Sequence, residues 1–379
     1  MGSITLSTKE TNRFKMNIYR GVVDRIDLKE LKDVIINNKA DIVILRVPTE
    51  NAADQDKLER LGFNFICADT LIYYTMDLEQ SKISPLRNND IQFHVASSHD
   101  FETIDFMIRE IFADYTNHYN SNHYIDKEHI TEGYQEWVKD FISKSEGDGR
   151  ISWIVKNGDV PVAFATCSYE EEKRVCEGVL YGVVPEHGGR GIYTDLIRYT
   201  KNYFKEKGYK DMKVSTQVQN VAVQKVWTRE GYGIEKSYNT FHINSLLDFS
   251  VIEPVERSFT ITEAEVQKYG EATGDFNPIH FDENFAKANK LKGKIAHGII
   301  TNAMLTKYYG MEYPGNGTMF MSYNYLFYKP IYLNETYRMI ITFPVINAES
   351  GTYKSVAKIL DSEGNVCMIT YNNLMKRKS

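Results

Sequence analysis

Apolar residues along the chain follow two periods, and the changes between them divide it. Val179 to Val184 is a short apolar run of the kind a buried strand shows, and Leu196, Ile197, Tyr199, Tyr203 and Phe204 then recur at helical spacing within Thr194–Lys207. The same alternation runs earlier: a helix from Leu28 to Asn38, strands at Ile42–Val47, Ile66–Tyr74 and Ile91–Val95, and a helix carrying Phe101, Ile104, Ile108 and Ile111 on one face, capped by Ser98 or Asp100. Arg150–Val155 and Val160–Ser168 read as a hairpin across Asn157-Gly158. Strands Met212–Val218 and Ile234–Ile243 follow, then a helix starting near Thr262 and an apolar helix opened by Ile295-Ala296-His297-Gly298. Ser81–Asn89 reads as a linker, and Pro254 marks a second boundary.

Between the strand ending at Val184 and the helix after it lies Pro185-Glu186-His187-Gly188-Gly189-Arg190-Gly191-Ile192-Tyr193, with three glycines in four residues. A glycine-rich turn opening a helix offers free backbone N–H groups at the positive end of the helix dipole, which seats a pyrophosphate. An internal echo precedes it. Asn51, Gln55, Leu58, Gly62 and Phe63 repeat the spacing of Asn220, Gln224, Trp227, Gly231 and Tyr232, each set flanked by strands and preceded by a helix. At the place equivalent to the glycine turn stands Val22-Val23-Asp24-Arg25-Ile26-Asp27, which cannot cradle a phosphate.

Strand, glycine turn, helix, strand, and an Asn-led helix ending in Gly231-Tyr232 resemble the GNAT acyltransferases over roughly residues 90–248. The resemblance implies that Gly188, Gly189, Arg190, Gly191, Ile192 and Tyr193 hold the pyrophosphate of acyl-CoA, with Asn220 and the backbone of Val183 and Val184 along the pantetheine arm. Gly188 stands where the family carries Arg or Gln, and Tyr193 where it carries Gly or Ala. The resemblance also implies a strand carboxylate as base, which places that role on Glu177; Trp227 stands where the family's acid, a Tyr, would be, leaving thiolate protonation to water or Tyr193. On the same footing, residues 1–80 are a degenerate half-GNAT unit that extends the sheet. The block Thr116–Asp126, followed by Tyr134 and Trp137, resembles the dTDP-fucosamine N-acetyltransferase type. That implies a nucleotide-linked amino sugar as acceptor, with Tyr119 and His123 as contacts and Tyr134 and Trp137 as core.

The third segment has its own chemistry. In Glu271-Ala272-Thr273-Gly274-Asp275-Phe276-Asn277-Pro278-Ile279-His280, Pro278 stops a helix and Asn277 favours an Asx turn, a bend that brings Asp275 and His280 to one cleft. A carboxylate and an imidazole sharing one water suit addition across an enoyl double bond, and the Gly298 amide at a helix start can polarise a thioester carbonyl. Asp275-x-Asn-Pro-x-His280, Ala296-His297-Gly298, Pro314–Gly317 and Pro330–Thr336 in order resemble the MaoC-like (R)-specific enoyl-CoA hydratases of the hotdog fold over about 255–379. Ala303 stands where close relatives carry Ser. The resemblance implies a homodimer.

Composition narrows the partners. The chain has 379 residues, 42% hydrophobic and 25% charged, enough for two or three domains. A net charge of −6 leaves no basic face for nucleic acid. The scattered Cys67, Cys167, Cys176 and Cys367 signal neither zinc nor disulfides, so no metal is expected and reduced cytosol is the expected compartment. No signal core or membrane-length apolar run is present. The expectation is therefore an α/β (α+β) chain in three parts: 1–80 half-GNAT, 90–248 GNAT, 255–379 hotdog. Its C-terminal part would hydrate an enoyl-CoA to an (R)-3-hydroxyacyl-CoA, whose acyl group its middle part would pass to the amine. Two alternatives stand beside it: an acetyl-CoA-dependent GNAT with a non-catalytic hotdog dimerisation module, and an acyl-CoA sensor without turnover.

Overall fold

Every strand expected between Ile42 and Ile243 enters one ten-stranded sheet, whose order shows how the repeats are joined. The computed structural model describes residues 3–143, 148–249 and 253–376. In chain order its first elements are β1 (Thr5–Leu6), α1 (Thr8–Phe14), β2 (Ile18–Val22), α2 (Leu28–Asn37), β3 (Ile42–Pro48), α3 (Gln55–Leu61), β4 (Asn64–Asp77), β5 (Ile91–Val95) and α4 (Phe101–Phe112). There follow α5 (Ile130–Ile142), β6 (Arg150–Asn157), β7 (Val160–Glu170), β8 (Val175–Val183), α6 (Ile192–Glu206), β9 (Asp211–Gln217), α7 (Val221–Arg229) and β10 (Gly233–Asn244). The sheet order is β1-β2-β3-β10-β4-β9-β8-β7-β6-β5. The echo thus does more than lengthen the sheet. β4, the last strand of the first repeat, pairs antiparallel with β9 of the second, from Leu71↔Gln217 to Asp77↔Asp211, and β10 lies between β3 and β4. Each repeat covers an edge the other would leave open.

The repeat is visible residue by residue. Gly62 and Gly231 both close their helices in the left-handed conformation (φ 84° and 96°), and Leu58, Trp227, Phe63 and Tyr232 are all buried. The Asn-Gly turn sits one residue later than expected: Asn157 pairs with Val160, so Gly158 (φ 58°) and Asp159 form the two-residue loop. Side chains alternate across β6 and separate two layers. Trp153 and Val155 pack with Leu196, Ile197 and Phe204 of α6, while Ile154 packs with Ile104 and Ile108 of α4 and Val138 of α5.

The chain forms two compact units: Met1–Leu28 with Val43–Ile243, and Lys29–Ile42 with Asn244–Ser379. The second contains β11 (Val255–Thr260), α8 (Glu263–Thr273), α9 (Pro278–Phe281), α10 (Glu283–Ala288), α11 (Gly298–Met311), β12 (Thr318–Phe327), β13 (Thr336–Asn347), β14 (Thr352–Leu360) and β15 (Val366–Lys376). Its antiparallel sheet runs β11-β13-β14-β15-β12, and α11 buries Ile300, Leu305, Tyr308 and Tyr309 against Ile341, Phe343, Ile359 and Met368, the hotdog layout expected. Most of α2 belongs to this unit, where Lys32 stands 4.4 Å over the Tyr328 ring. Asp41 also lies here, its carboxylate accepting from the N–H groups of Asp248 and Phe249 at 2.7 Å each. No described helix is long and apolar enough to cross a membrane.

Candidate active sites

In the first unit, β8 is the strand that opens. Its parallel pairing with β9 runs from Val175↔Asp211 to Gly178↔Val214 and stops there. On its other side the register with β7 shifts between Thr166 and Cys167, leaving Val179 as the extra residue of a bulge. A Cβ on Gly178 would meet the Tyr181 hydroxyl at 2.7 Å, so the bulge needs glycine there. Beyond the bulge β8 stays on β7 and leaves β9. The Val184 N–H is spent on Val162 O at 2.9 Å, which corrects its expected role as an amide donor to a ligand. Alternation along the strand turns the Val183 N–H to the opposite edge, the one β9 has left. That edge is open to an added extended chain.

The turn after β8 is built as its glycines require. Gly189 and Gly191 have φ of 74° and 84°, and Gly191 is the N-cap of α6. The Gly188 N–H closes on Pro185 O at 2.9 Å, so it too is spent within the turn. The N–H groups of Ile192 and Tyr193, in the first turn of α6, have no intrahelical partner. Buried Asp195 then ties the linker to this turn: its carboxylate accepts from Arg87 N at 2.6 Å, Asn88 N at 3.1 Å and Asn88 Nδ2 at 2.7 Å. Asn88 Nδ2 also donates to Arg190 O at 3.2 Å. The Arg87 side chain consequently lies over the turn, its Cδ 3.2 Å from where a Cβ of Gly191 would stand. It brings a guanidinium to the turn that has glycine in place of the family's Arg or Gln. Nothing in the sequence signalled Arg87, which lies in the linker and meets the turn only through Asp195. The degenerate first repeat answers differently: there Asp54 supplies its own anion, accepting from Ile26 N at 3.0 Å, Arg25 Nη1 at 3.3 Å and Lys57 Nζ at 3.2 Å. Burial raises the Asp54 pKa, but these hydrogen bonds and cations outweigh it and leave it below the usual carboxylate range.

A cavity of about 850 Å³ starts at the parted strands, lined by Val179, Leu180, Tyr181, Tyr193, Asn220 and Trp227 and continuing to Glu177 and Tyr73. Glu177 is half-buried, and burial pushes its pKa up while Lys213 and Lys236 pull it back. Tyr193 and Trp227 are in the wall as the sequence implied, and burial raises the Tyr193 phenol. Asn220 Nδ2 donates to Thr216 Oγ1 at 3.1 Å, fixing the end of β9. Tyr115, which sequence reasoning passed over, donates to Gln217 in the same wall. Tyr134 and Trp137 also line the cavity, whereas they were expected in the core. The helical spacing of α5 fixes the face they share but not whether that face meets a core or a cavity.

Tyr119 reaches this cavity too, donating to Glu10 of α1. His123 does not: it is exposed, its ring tilted against that of Tyr124 with centroids 3.9 Å apart, because the short helical turn His118–Ser121 ends before it. In its place stands His118, buried against His242, with Nδ1 and Nε2 2.8 Å apart. Asn122 Nδ2 lies 3.1 Å from His242 Nδ1, so His242 accepts there and donates to His118. Burial first, then the Arg20 and Arg46 charges, pull the His242 pKa down to about 3 and His118 well down, so both imidazoles are neutral.

In the second unit, α8 ends at Gly274 (φ 78°) and the bend falls where Asn277-Pro278 place it. Asp275 Oδ1 accepts from Asn277 N at 3.2 Å, and Asn277 Oδ1 from Ile279 N at 3.3 Å. His280 donates through Nδ1 to Ile295 O at 2.8 Å, which leaves Nε2 with its lone pair. Burial is the main cause that lowers the His280 pKa, keeping that ring neutral. A third side chain joins them. His297 is buried, stacks on His280 at 3.8 Å and lies 3.0 Å from the Asp275 carbonyl through Nε2. Polar atoms of Asp275, His280 and His297 all lie within 4.8 Å of one another, close enough to share one water and also a composition that could hold a cation. His297 was visible in the sequence only as the middle of Ala-His-Gly. Gly298 opens α11, and a Cβ there would meet the Phe327 ring at 2.6 Å.

Comparison with known proteins matches a part of each unit to a family. Residues 107–232 match the model of the acetyltransferase (GNAT) family, and residues 252–360 that of the MaoC like domain. The chain therefore carries a GNAT domain and a MaoC-like hotdog domain. Over 75 residues it is 33% identical to 3-hydroxybutyryl-CoA dehydratase of Methylorubrum extorquens, covering 20% of this chain and 48% of that protein. Over 83 residues it is 26% identical to (R)-specific enoyl-CoA hydratase of Rhodospirillum rubrum, covering 22% and 58%. The chain thus spans about half the length of the curated relatives it matches. Among solved structures, a GCN5-related N-acetyltransferase from Kribbella flavida aligns with a TM-score of 0.42 at 13% identity, over 59% of this chain and 81% of that one.

Proposed function

We propose that the GNAT domain moves an acyl group from acyl-CoA to the amine of a nucleotide-linked (dTDP) amino-deoxy sugar, and that the hotdog domain makes the donor, (R)-3-hydroxybutanoyl-CoA, by hydrating crotonyl-CoA. The observation that carries the transfer is the cavity that begins where β8 leaves β9 and includes Glu177 in its wall. Pantetheine lying along the freed edge of β8 presents its thioester to that cavity. The amine nitrogen attacks the carbonyl carbon, Glu177 takes its proton directly or through water, and the C–S bond breaks. Tyr193, Tyr115 or water returns a proton to the thiolate. In the hotdog domain a water held between Asp275 and His280 loses a proton as its oxygen bonds to the β carbon. A proton passes to the α carbon, and the Gly298 N–H holds the enolate oxygen at the start of α11. The Nδ1 bond of His280 to Ile295 O, which leaves the Nε2 lone pair to accept that proton beside Asp275, favours turnover over a module kept for dimerisation alone.

We further propose a homodimer formed along β12 and a place in the reduced cytosol. β12 is an edge strand exposing Met319, Met321, Tyr323 and Phe327, and all four cysteines are free.

The test is one incubation of the protein with crotonyl-CoA and a panel of dTDP- and UDP-amino sugars, read by mass spectrometry. The thioester should gain one water and then lose its acyl group to a sugar. Asp275→Asn and His280→Gln should each slow hydration by about 10² to 10⁴. A parent protein that leaves crotonyl-CoA unchanged ends the hydration reading; hydroxyacyl-CoA that accumulates beside every sugar ends the transfer reading.

A further inference from the structure

The far end of the GNAT cavity holds a guanidinium that has no ion-pair or hydrogen-bond partner among the described residues. Arg46, on β3, lines the cavity, makes no ion pair and no side-chain hydrogen bond among the described residues, and has a buried, unpartnered Nε. Its neighbours are settled. Arg20 is paired with Glu10 at 3.2 Å, Glu10 also takes the Tyr119 hydroxyl, and Arg13 is paired with Glu136 at 2.5 Å. His118 and His242 bond each other and are neutral. Asp69 is near enough for its charge to favour that of Arg46, but it forms no ion pair with it, and burial raises the Asp69 pKa against the pull of Thr240 and both arginines. A partly buried guanidinium with no hydrogen-bond partner is costly to a fold, and its planar fork suits two oxygens of one anion.

We propose that Arg46 binds an oxyanion of the acyl acceptor, so that the acceptor is an amine carrying a phosphate or carboxylate well away from the reacting nitrogen. The proposal rests on reading the cavity as the acceptor site. Distance within the sheet selects between acceptors. From β3 to β8 there are four strand steps (β3-β10-β4-β9-β8), roughly 19 Å at the usual strand spacing. Tyr73 on β4 feels both the Arg46 and the Glu177 charges, so it lies along the path between them. An α-amino acid, with its charges one carbon apart, cannot touch both ends. An amino sugar separated by its own ring from a diphosphate has the required form.

Thermal-shift titration tests this with CoA saturating, so that the glycine turn is filled. The probes are dTDP, inorganic pyrophosphate, succinate and free glucosamine. The parent should be stabilised by dTDP and pyrophosphate, and Arg46→Met should bind each at least tenfold more weakly while melting no lower than the parent without ligand. Stabilisation by succinate that Arg46→Met abolishes would support the site and identify its anion as a carboxylate. Equal affinity of parent and Arg46→Met for all three anions, or glucosamine binding as tightly as dTDP, overturns the proposal. If Arg46→Met does not fold, the parent alone decides: dTDP binding should weaken as salt rises, and a flat salt dependence overturns the idea. Because the readout is binding, it separates from transfer. A protein that holds dTDP through Arg46 yet acylates nothing sinks the transferase reading and leaves this one standing.

Discussion

At the residue scale, each proposed reaction depends on a titrating group whose environment sets its state. Glu177 must be ionised to accept the amine proton, and burial lifts its pKa above the usual carboxylate range. The sign follows directly: transfer should be slow at acid pH and climb as pH rises through that raised pKa. Glu177→Gln should lower kcat by about 100-fold and remove the acid limb of the pH–rate profile. An unaltered profile in that variant would rule Glu177 out as the base. His297 acts differently, through position. It stacks on His280 and lies within hydrogen-bond distance of the Asp275 carbonyl, so in the proposed hydration it would position the two reacting groups about one water.

At the scale of elements, the proposed acyl-CoA site is a strand end, a turn and a borrowed side chain. The bulge at Val179 parts β8 from β9, and the glycines at 189 and 191 adopt backbone angles that other residues reach only under strain. What the turn lacks in its own sequence, the linker brings through Asp195. Hydrogen bonds to charged groups contribute about 1.5–3 kcal/mol, so Arg87→Ala should weaken CoA binding by roughly 10- to 100-fold. Asp195 holds the backbone of residue 87, not its side chain, so the melting temperature should stay near that of the parent. Calorimetric titration with CoA decides it; an unchanged Kd would leave the backbone amides as the whole of the site.

At the scale of the whole molecule, a GNAT domain and a MaoC-like hotdog domain are carried on one chain, and the sheet of the first is extended by the strands of residues 1–80. Interleaving buries β3, whose Ile42, Val43, Ile44, Leu45 and Val47 are all almost without exposure, and sets Arg46 of the first repeat in the cavity of the second. The hotdog sheet, by contrast, ends in β12, whose outer edge pairs with no strand among the described residues and which exposes large apolar side chains. Light scattering should therefore give twice the chain mass, and Met321→Glu with Tyr323→Lys should shift the protein toward monomer. A monomeric parent at micromolar concentration would remove the dimer.

Sequence alone determined what is local and periodic. Apolar spacing located the elements to within a few residues, the run of glycines gave the turn, and Asn277-Pro278 gave the bend that sets Asp275 beside His280. These follow from backbone sterics and from hydrogen bonds between near neighbours, which a linear chain displays. Tertiary structure alone decided what depends on pairing between distant strands: that β4 lies beside β9 and β10 beside β3, that Arg87 reaches the glycine turn, that His118 rather than His123 faces the cavity, and that Arg46 is left without an ion-pair partner among the described residues. Hydrogen-bonding register and charge balance are properties of groups far apart along the chain, and only folding brings those groups to within bonding distance.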